Sequence, residues 1–340
     1  MSDKKQIIVT GGSGYIGSHT VLELLEGGYE PIIFDDFRNS QSWILDRLEE
    51  ISGQKIQAFN LDCNDYSAMS GVVKTLPNVA GIIHFAADKA VGESVQNPIK
   101  YFSNNIGSLS QVLRLANDFK IEHFVFSSSC TVYGEPDNPV VTESTPIQKA
   151  ESPYGSTKII CEELIQFAYQ SGQDLKATLL RYFNPIGAHL SAKIGELPQG
   201  IPNNLVPYIT QTANGIREKI TIFGNDYDTV DGTNVRDYIH VVDLAKAHVK
   251  ALDRSFTQDS SFCEAYNLGT GKGSSVLEII HTFEEVNDLK LNYEIGPRRA
   301  GDVVQIWADP SKANKELNWH CEYTIKDALK HSWQWEQNIN

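Results

Sequence analysis

The sequence predicts an α/β protein built on a doubly wound parallel sheet, followed by a smaller C-terminal mixed α/β lobe. Three observations predict it. The chain opens with a strand, a glycine turn and a helix in immediate succession. Short apolar strands then alternate with helical patterns up to about residue 183, and beyond Asn184 the texture changes to Gly- and Pro-rich segments. Such alternation calls for a parallel sheet with helices on both faces and ligands at the carboxyl ends of the strands. The expected division is 1–183 for the first unit and 184–340 for the second, with some segments returning to the first.

The first strand is the β-branched run Gln6 to Thr10, and Gly11, Gly14 and Gly17 punctuate the turn after it. Apolar residues at helical spacing follow to Leu25. Strand, glycine turn and helix are the context of a dinucleotide fingerprint: glycines let the backbone approach a pyrophosphate, and the helix start offers N–H groups and a positive dipole end. The second strand, Pro31 to Phe34, ends at Asp35, about 18 residues beyond Gly17, where an acid selects NAD over NADP by bonding ribose and repelling a 2′-phosphate. Arg38 is a mild counter-signal. Further strands are expected at Lys55–Phe59, Gly81–Ala87, His123–Phe126 and Leu175–Leu180, with helical patterns at about 65–75 and 100–119. Asp35, Asp62, Ala86, Ser129 and Phe183 then stand at strand ends, where ligands bind. In the second half a helix is expected near 205–215 and a short strand at Ile220–Phe223.

Of 340 residues, 41% are hydrophobic and 21% charged, a globular composition. The net charge of −14 argues against a nucleic-acid surface, and an anionic substrate would need individual arginines to hold it. Five scattered cysteines without a Cys-x-x-Cys pair fit reduced thiols, and the nine histidines show no paired metal-ligand spacing, so no metal is expected. The apolar run after Met1–Lys5 is too short for a signal peptide, and no run approaches a membrane span. A soluble cytoplasmic protein is expected.

Ser152-Pro153-Tyr154-Gly155-Ser156-Thr157-Lys158 begins a helical pattern, which puts Tyr154 and Lys158 on one face, a turn apart. An ammonium near a phenol favours the phenolate and makes it a usable base nearer neutral pH.

Together with the glycine fingerprint, this Tyr-x-x-x-Lys resembles the extended short-chain dehydrogenase/reductase superfamily, whose fold is the Rossmann sheet. Ala90–Val95, Ser127-Ser128-Ser129 before Thr131–Gly134, Arg181–Pro185, Pro202–Leu205, Phe223–Tyr227, Val235–Val241 and Tyr266–Gly269 narrow the match to the UDP-glucose 4-epimerase family, over about residues 6–337. The resemblance implies a redox-neutral reaction with a tightly held NAD: Tyr154 takes the sugar 4-hydroxyl proton, Lys158 lowers its pKa and bonds the nicotinamide ribose, and Ser129 bonds the reacting oxygen. It implies that Gly11, Gly14, Tyr15, Ile16, Gly17, Asp35, Asn39, Ser40, Asp62, Cys63, Phe85, Ala86, Lys89, Asn104 and Tyr182 line the NAD site with Tyr154 and Lys158. Asn184, Asn204, Leu205, Ile222, Phe223, Arg236, Tyr238, Arg299, Asp302 and Ile306 are implied to hold the UDP-sugar with Ser129 and Tyr154. The two arginines suit the pyrophosphate because guanidinium gives forked, charge-assisted bonds. Members are homodimers joined through helices matching about 100–119 and 154–171.

Two positions depart from the pattern. Asp88 stands where members carry an apolar residue, and Ile306 where they carry tyrosine or cysteine at the sugar end of the pocket. The rival readings are another nucleotide-sugar epimerase, a 4,6-dehydratase, and an NAD-sensing regulator. A dehydratase needs an Asp-Glu pair where Cys130-Thr131 stands, and a regulator would be expected to lose the tyrosine–lysine pair.

Overall fold

The computed structural model describes residues 4–299 and 301–339. Met1 to Asp3, which precede the apolar run expected to be too short for a signal peptide, lie outside them. Strand β1 (Gln6–Thr10) is buried throughout and passes through the glycine turn into helix α1 (Tyr15–Glu26). Gly11 has φ +67°, and a Cβ there would lie 2.9 Å from the Ala86 nitrogen; one on Gly17 would lie 2.2 Å from the Gly11 oxygen. The turn and helix approach the sheet too closely for side chains at either position.

Strands β2 (Glu30–Asp35), β3 (Gln57–Asn60), β4 (Val79–His84), β5 (His123–Ser127), β6 (Lys176–Tyr182) and β7 (Phe262–Leu268) complete the main sheet. Among the described residues it has seven strands, in the order β7-β6-β5-β4-β1-β2-β3, with every pair parallel. The order reverses between β1 and β4, where an open α/β sheet has its ligand crevice. Several expected boundaries shift. The fourth strand ends at His84 rather than Ala87, and the third starts at Gln57 rather than Lys55. The pattern at 100–119 divides into Pro98–Tyr101, a π turn at Phe102–Ile106 and helix α2 (Gly107–Phe119). A π turn inserts a residue into the helical ladder and is frequent at functional sites.

Alternate strand residues feed two cores. Ile7, Val9, Ile33, Ile83, Val125 and Leu180 pack against α1 and Val241–Phe256. Ile8, Ile32, Phe34, Ile82, Phe124 and Leu179 pack against α2 and helix α3 (Pro153–Gln170). The near-continuous apolar strands follow from burial on both faces. A third core joins helices Leu205–Ala213, Val276–Asn287 and Ile325–Asn338 to the paired strands Asn184–Ile186 with Tyr238–His240, and Ile220–Phe223 with Tyr293–Gly296. A small fourth cluster holds Val132, Tyr133, Val141, Phe183, Ile306 and Ala308, its first two members a few residues beyond the end of β5.

Candidate active site

The carboxyl ends of β1, β2, β4, β5 and β6 meet over the crevice. Asp35 closes β2, and its carboxylate accepts from the Ser13 nitrogen at 2.9 Å, the Phe37 nitrogen at 2.9 Å and the Ser40 hydroxyl at 3.1 Å. It therefore ties the glycine turn to the end of the second strand, and burial raises its pKa above the ordinary carboxylate value. Helix α1 starts at Gly14 with no side-chain cap and no acid in its first turn. A cradle no Cβ can enter, at an acid-free helix start, fits a dinucleotide pyrophosphate. Tyr15 and Ile16 open α1, and Tyr15 donates to the Gly187 carbonyl at 2.6 Å. On the other side of the crevice, Arg38 reaches Asp62 at 2.5 Å and Asn104 at 3.3 Å. Cys63 is buried beside them, which pushes its thiol pKa up. Phe85 and Ala86 follow β4, and Lys89 lies exposed in the same turn, 3.1 Å from Glu196.

Ser152 caps α3 by accepting from the Gly155 nitrogen at 3.1 Å, and Pro153 takes the first helical position, where its missing N–H costs nothing. This start fixes Tyr154 and Lys158 inward, both buried. Ser129, two residues beyond β5, accepts from the Thr131 nitrogen at 3.3 Å and faces the Tyr154 phenol, whose pKa it pulls down. Lys158 donates to the Ser127 carbonyl at 2.6 Å, and its Nζ lies 5.8 Å from the Tyr154 ring centroid. Tyr182 meets the Ser127 hydroxyl at 2.7 Å. Burial pushes the Tyr154 pKa well above its ordinary value, against the pull of the nearby Ser129 hydroxyl, and it lowers Lys158 to about 8. In the protein alone the Lys158 ammonium is spent on a carbonyl, and desolvation sets the direction of the Tyr154 shift.

Across the crevice, Val235–Arg236 pairs in parallel with Gln305–Ala308, with Arg236 directly beside Ile306. Arg236 bonds the Val235 carbonyl at 2.9 Å, and Arg299 forks onto Asp302 at 2.7–3.1 Å. Arg299 also lies 5.5 Å from the Phe223 ring centroid. Asn184 and Tyr238 are register partners, and Asn204 precedes the helix that Leu205 begins. Ile222 is 1% exposed inside the third core, so its side chain is a packing element, and a ligand can meet only its backbone.

Sequence reasoning missed three participants. Glu196 accepts from Lys89 and, at 2.6 Å, from Asn204, linking the two sides of the crevice; within a Gly- and Pro-rich stretch it reads only as a solvated acid. Asp237 is fully buried and binds Thr270, Gly271 and Ala308, fixing the strands that carry Arg236 and Ile306. The Thr131 hydroxyl, just after Ser129, is buried without a partner among the described residues, so a polar group is available to whatever enters.

The chain matches the family model described as GDP-mannose 4,6 dehydratase over residues 8–332. The UDP-glucose 4-epimerase of Dictyostelium discoideum is 48% identical over 98% of this chain and 96% of that protein, and the one from Bacillus subtilis is 45% identical over 98% of each. The chain belongs to the UDP-glucose 4-epimerase family. Among solved structures, the UDP-glucose 4-epimerase from Bifidobacterium longum in complex with NAD+ and UDP superposes with a TM-score of 0.94 at 43% identity, covering 98% of this chain and 99% of that one. At Cys130-Thr131, where the dehydratase reading expects an acidic pair, this chain has no carboxylic acid. Among the described residues no helix is long and apolar enough to cross a membrane, and no cluster of His, Cys, Asp and Glu could hold a metal ion.

Proposed function

We propose that the chain interconverts UDP-galactose and UDP-glucose through a 4-keto sugar, with NAD kept in the crevice throughout. The observation that carries this is the buried Tyr154–Ser129 pair, set between a glycine cradle and the side that bears Arg236 and Arg299. NAD, when bound, supplies a reversible hydride acceptor and a cationic ring. Tyr154 is the proton acceptor for the sugar 4-hydroxyl, and Ser129 holds that oxygen in line. Lys158 completes the charge balance that lets the buried phenol ionise. Arg236 and Arg299 hold the pyrophosphate against the protein's net negative charge. Purified protein given UDP-galactose and no added cofactor is expected to form UDP-glucose; no conversion, or a 4-keto-6-deoxy product, would overturn the reading.

The cofactor gives a second expected result. Denaturing the purified protein should release NAD or NADH, because Asp35 closes the ribose end of the site and a redox-neutral cycle needs no exchange. Recovery of mainly NADP would remove Asp35 from its role.

Ile306 sets sugar range. It shares a face with Arg236, is 4% exposed and is backed by Val132, Tyr133 and Phe183. Its β-branch makes it stiff at χ1, so it cannot swing aside for a 2-acetamido group. Forced bulk costs ~1–3 kcal/mol, and activity on UDP-N-acetylglucosamine should be roughly 5- to 150-fold below that on UDP-glucose. Ile306→Ser should raise it selectively. Equal wild-type efficiency on both sugars would show the pocket to be open.

We further propose a cytoplasmic homodimer. Val95, Ile99 and Phe167 are exposed apolar residues on mutually packed elements, and a second copy would cover them.

A further inference from the structure

Asp88 lies in the turn after β4 and is 3% exposed. A carboxylate so buried must be paired or hydrogen-bonded. Its Oδ1 accepts from Asn39 Nδ2 at 3.3 Å and its Oδ2 from Asn104 Nδ2 at 3.0 Å. Lys100 stands 3.8 Å from Oδ1, but it is half exposed and 2.6 Å from Glu93, so much of its charge is answered elsewhere. The Asp88 backbone is clamped by one side chain. Its nitrogen donates to Asn105 Oδ1 at 2.8 Å, and Asn105 Nδ2 donates to its carbonyl at 3.0 Å. Asn105 Nδ2 also reaches Thr157 Oγ1 at 3.1 Å, and Thr157 donates to the Tyr154 carbonyl at 2.7 Å. Both asparagines belong to the π turn at Phe102–Ile106, which turns two successive amides toward one residue.

A carboxylate only accepts, so each amide facing it must present nitrogen. For Asn104 this settles every atom. Its nitrogen serves Asp88 and, at 3.4 Å, Asn105 Oδ1. Its oxygen, turned the other way, accepts from Asn64 at 3.0 Å and Arg38 at 3.3 Å. Asp88, which only accepts, and Arg38, which only donates, thus hold the Asn104 amide from its two sides, while Asn39 meets Asp88 alone of the two.

We infer that Asp88 is a positioning residue for cofactor retention. It fixes the amides of Asn39 and Asn104, two members of the proposed NAD cradle, in one orientation, and it links that cradle through Asn105 and Thr157 to the first turn of the catalytic helix. The Asn104 oxygen is thereby held toward Asn64 and Arg38, on the side of the cradle away from Asp88. This rests on the reading that the crevice holds NAD.

Asp88→Asn keeps the shape but sets a new amide nitrogen against that of Asn39 or Asn104, donor against donor. Adding Asn104→Asp exchanges donor and acceptor and restores the pairing. The measurement is release of bound NAD from the purified holoprotein, chased with excess etheno-NAD and followed by fluorescence. Losing a hydrogen bond to a charged group corresponds to release at least ~10-fold faster in Asp88→Asn, with the double variant recovering most of the difference. The KM for UDP-galactose at saturating NAD should stay within about twofold, because the lesion lies on the cofactor side and not at the sugar. Release at the wild-type rate in Asp88→Asn, or no recovery in the double variant, would overturn the assignment. If Asp88→Asn does not fold, Asn104→Asp alone, which sets carboxylate against carboxylate, gives the same comparison with the double variant. A wild-type protein purified without NAD would instead refute the cofactor reading itself.

Discussion

Replacing Tyr154 with phenylalanine is expected to lower turnover at least ~10²-fold while leaving the holoprotein folded and its NAD in place. The ring is buried at the start of α3, and phenylalanine fills the same space. What is lost is the phenolic oxygen, the proton acceptor of the proposed reaction, which faces Ser129. In the protein alone desolvation holds the phenol protonated, so the base must be created when substrate and cofactor complete the site. This implies a rate that rises with pH as the phenol is released, and a rise that is absent in Tyr154→Phe. Near-normal turnover in that variant would end the assignment of Tyr154 as base.

Arg181→Met is expected to be the most damaging substitution for stability, at roughly 3–5 kcal/mol, read as a fall in the urea midpoint of the holoprotein. Arg181 and Glu162 are both buried and joined at 2.6 and 2.9 Å. Ser128 donates to the same carboxylate, and Arg181 also reaches the Tyr133 hydroxyl at 3.0 Å, which bonds Asn267 at 2.7 Å. One network thus joins the ends of β5, β6 and β7 to α3, directly behind Ser129 and Tyr154. Methionine fills the volume and leaves Glu162 as a buried charge without its partner. Replacing both residues, Glu162→Leu with Arg181→Met, should recover much of the loss, because an apolar pair of similar volume is often neutral. A single variant with an unchanged midpoint would show that water reaches Glu162.

The first six strands of the main sheet were legible because burial on both faces makes them apolar runs, and the glycine turn was legible because nothing else fits between Gly11 and Ala86. The last strand was not. Phe262 to Leu268 carries Glu264 and Asn267 in an edge position, about 80 residues after its neighbour, and pairing across such a distance leaves no local signal. At the site, the Tyr154–Lys158 spacing could be read from the helix period, but the direction of Lys158 could not, since it depends on the carbonyl of Ser127 from another element. Ile222 looked like a ligand contact and is a core residue. Glu196 carried no sequence signal: its importance lies in standing between Lys89 and Asn204, which only the packed chain brings together.

The late return of β7 has a consequence for biosynthesis. Strand β6 is bonded on one side by β5 and on the other only by β7. While the chain leaves the ribosome, Lys176–Tyr182 is complete about 80 residues before its second partner, an interval of several seconds at roughly 5–20 residues per second. During that interval an apolar strand presents an open row of N–H and C=O groups, the kind of edge that recruits strands from other chains. A polypeptide stopped at residue 183 would keep that edge permanently. Phe262–Leu268 is therefore the nascent chain's own plug, and the segment between β6 and β7 must be synthesised before the first fold is safe from its neighbours.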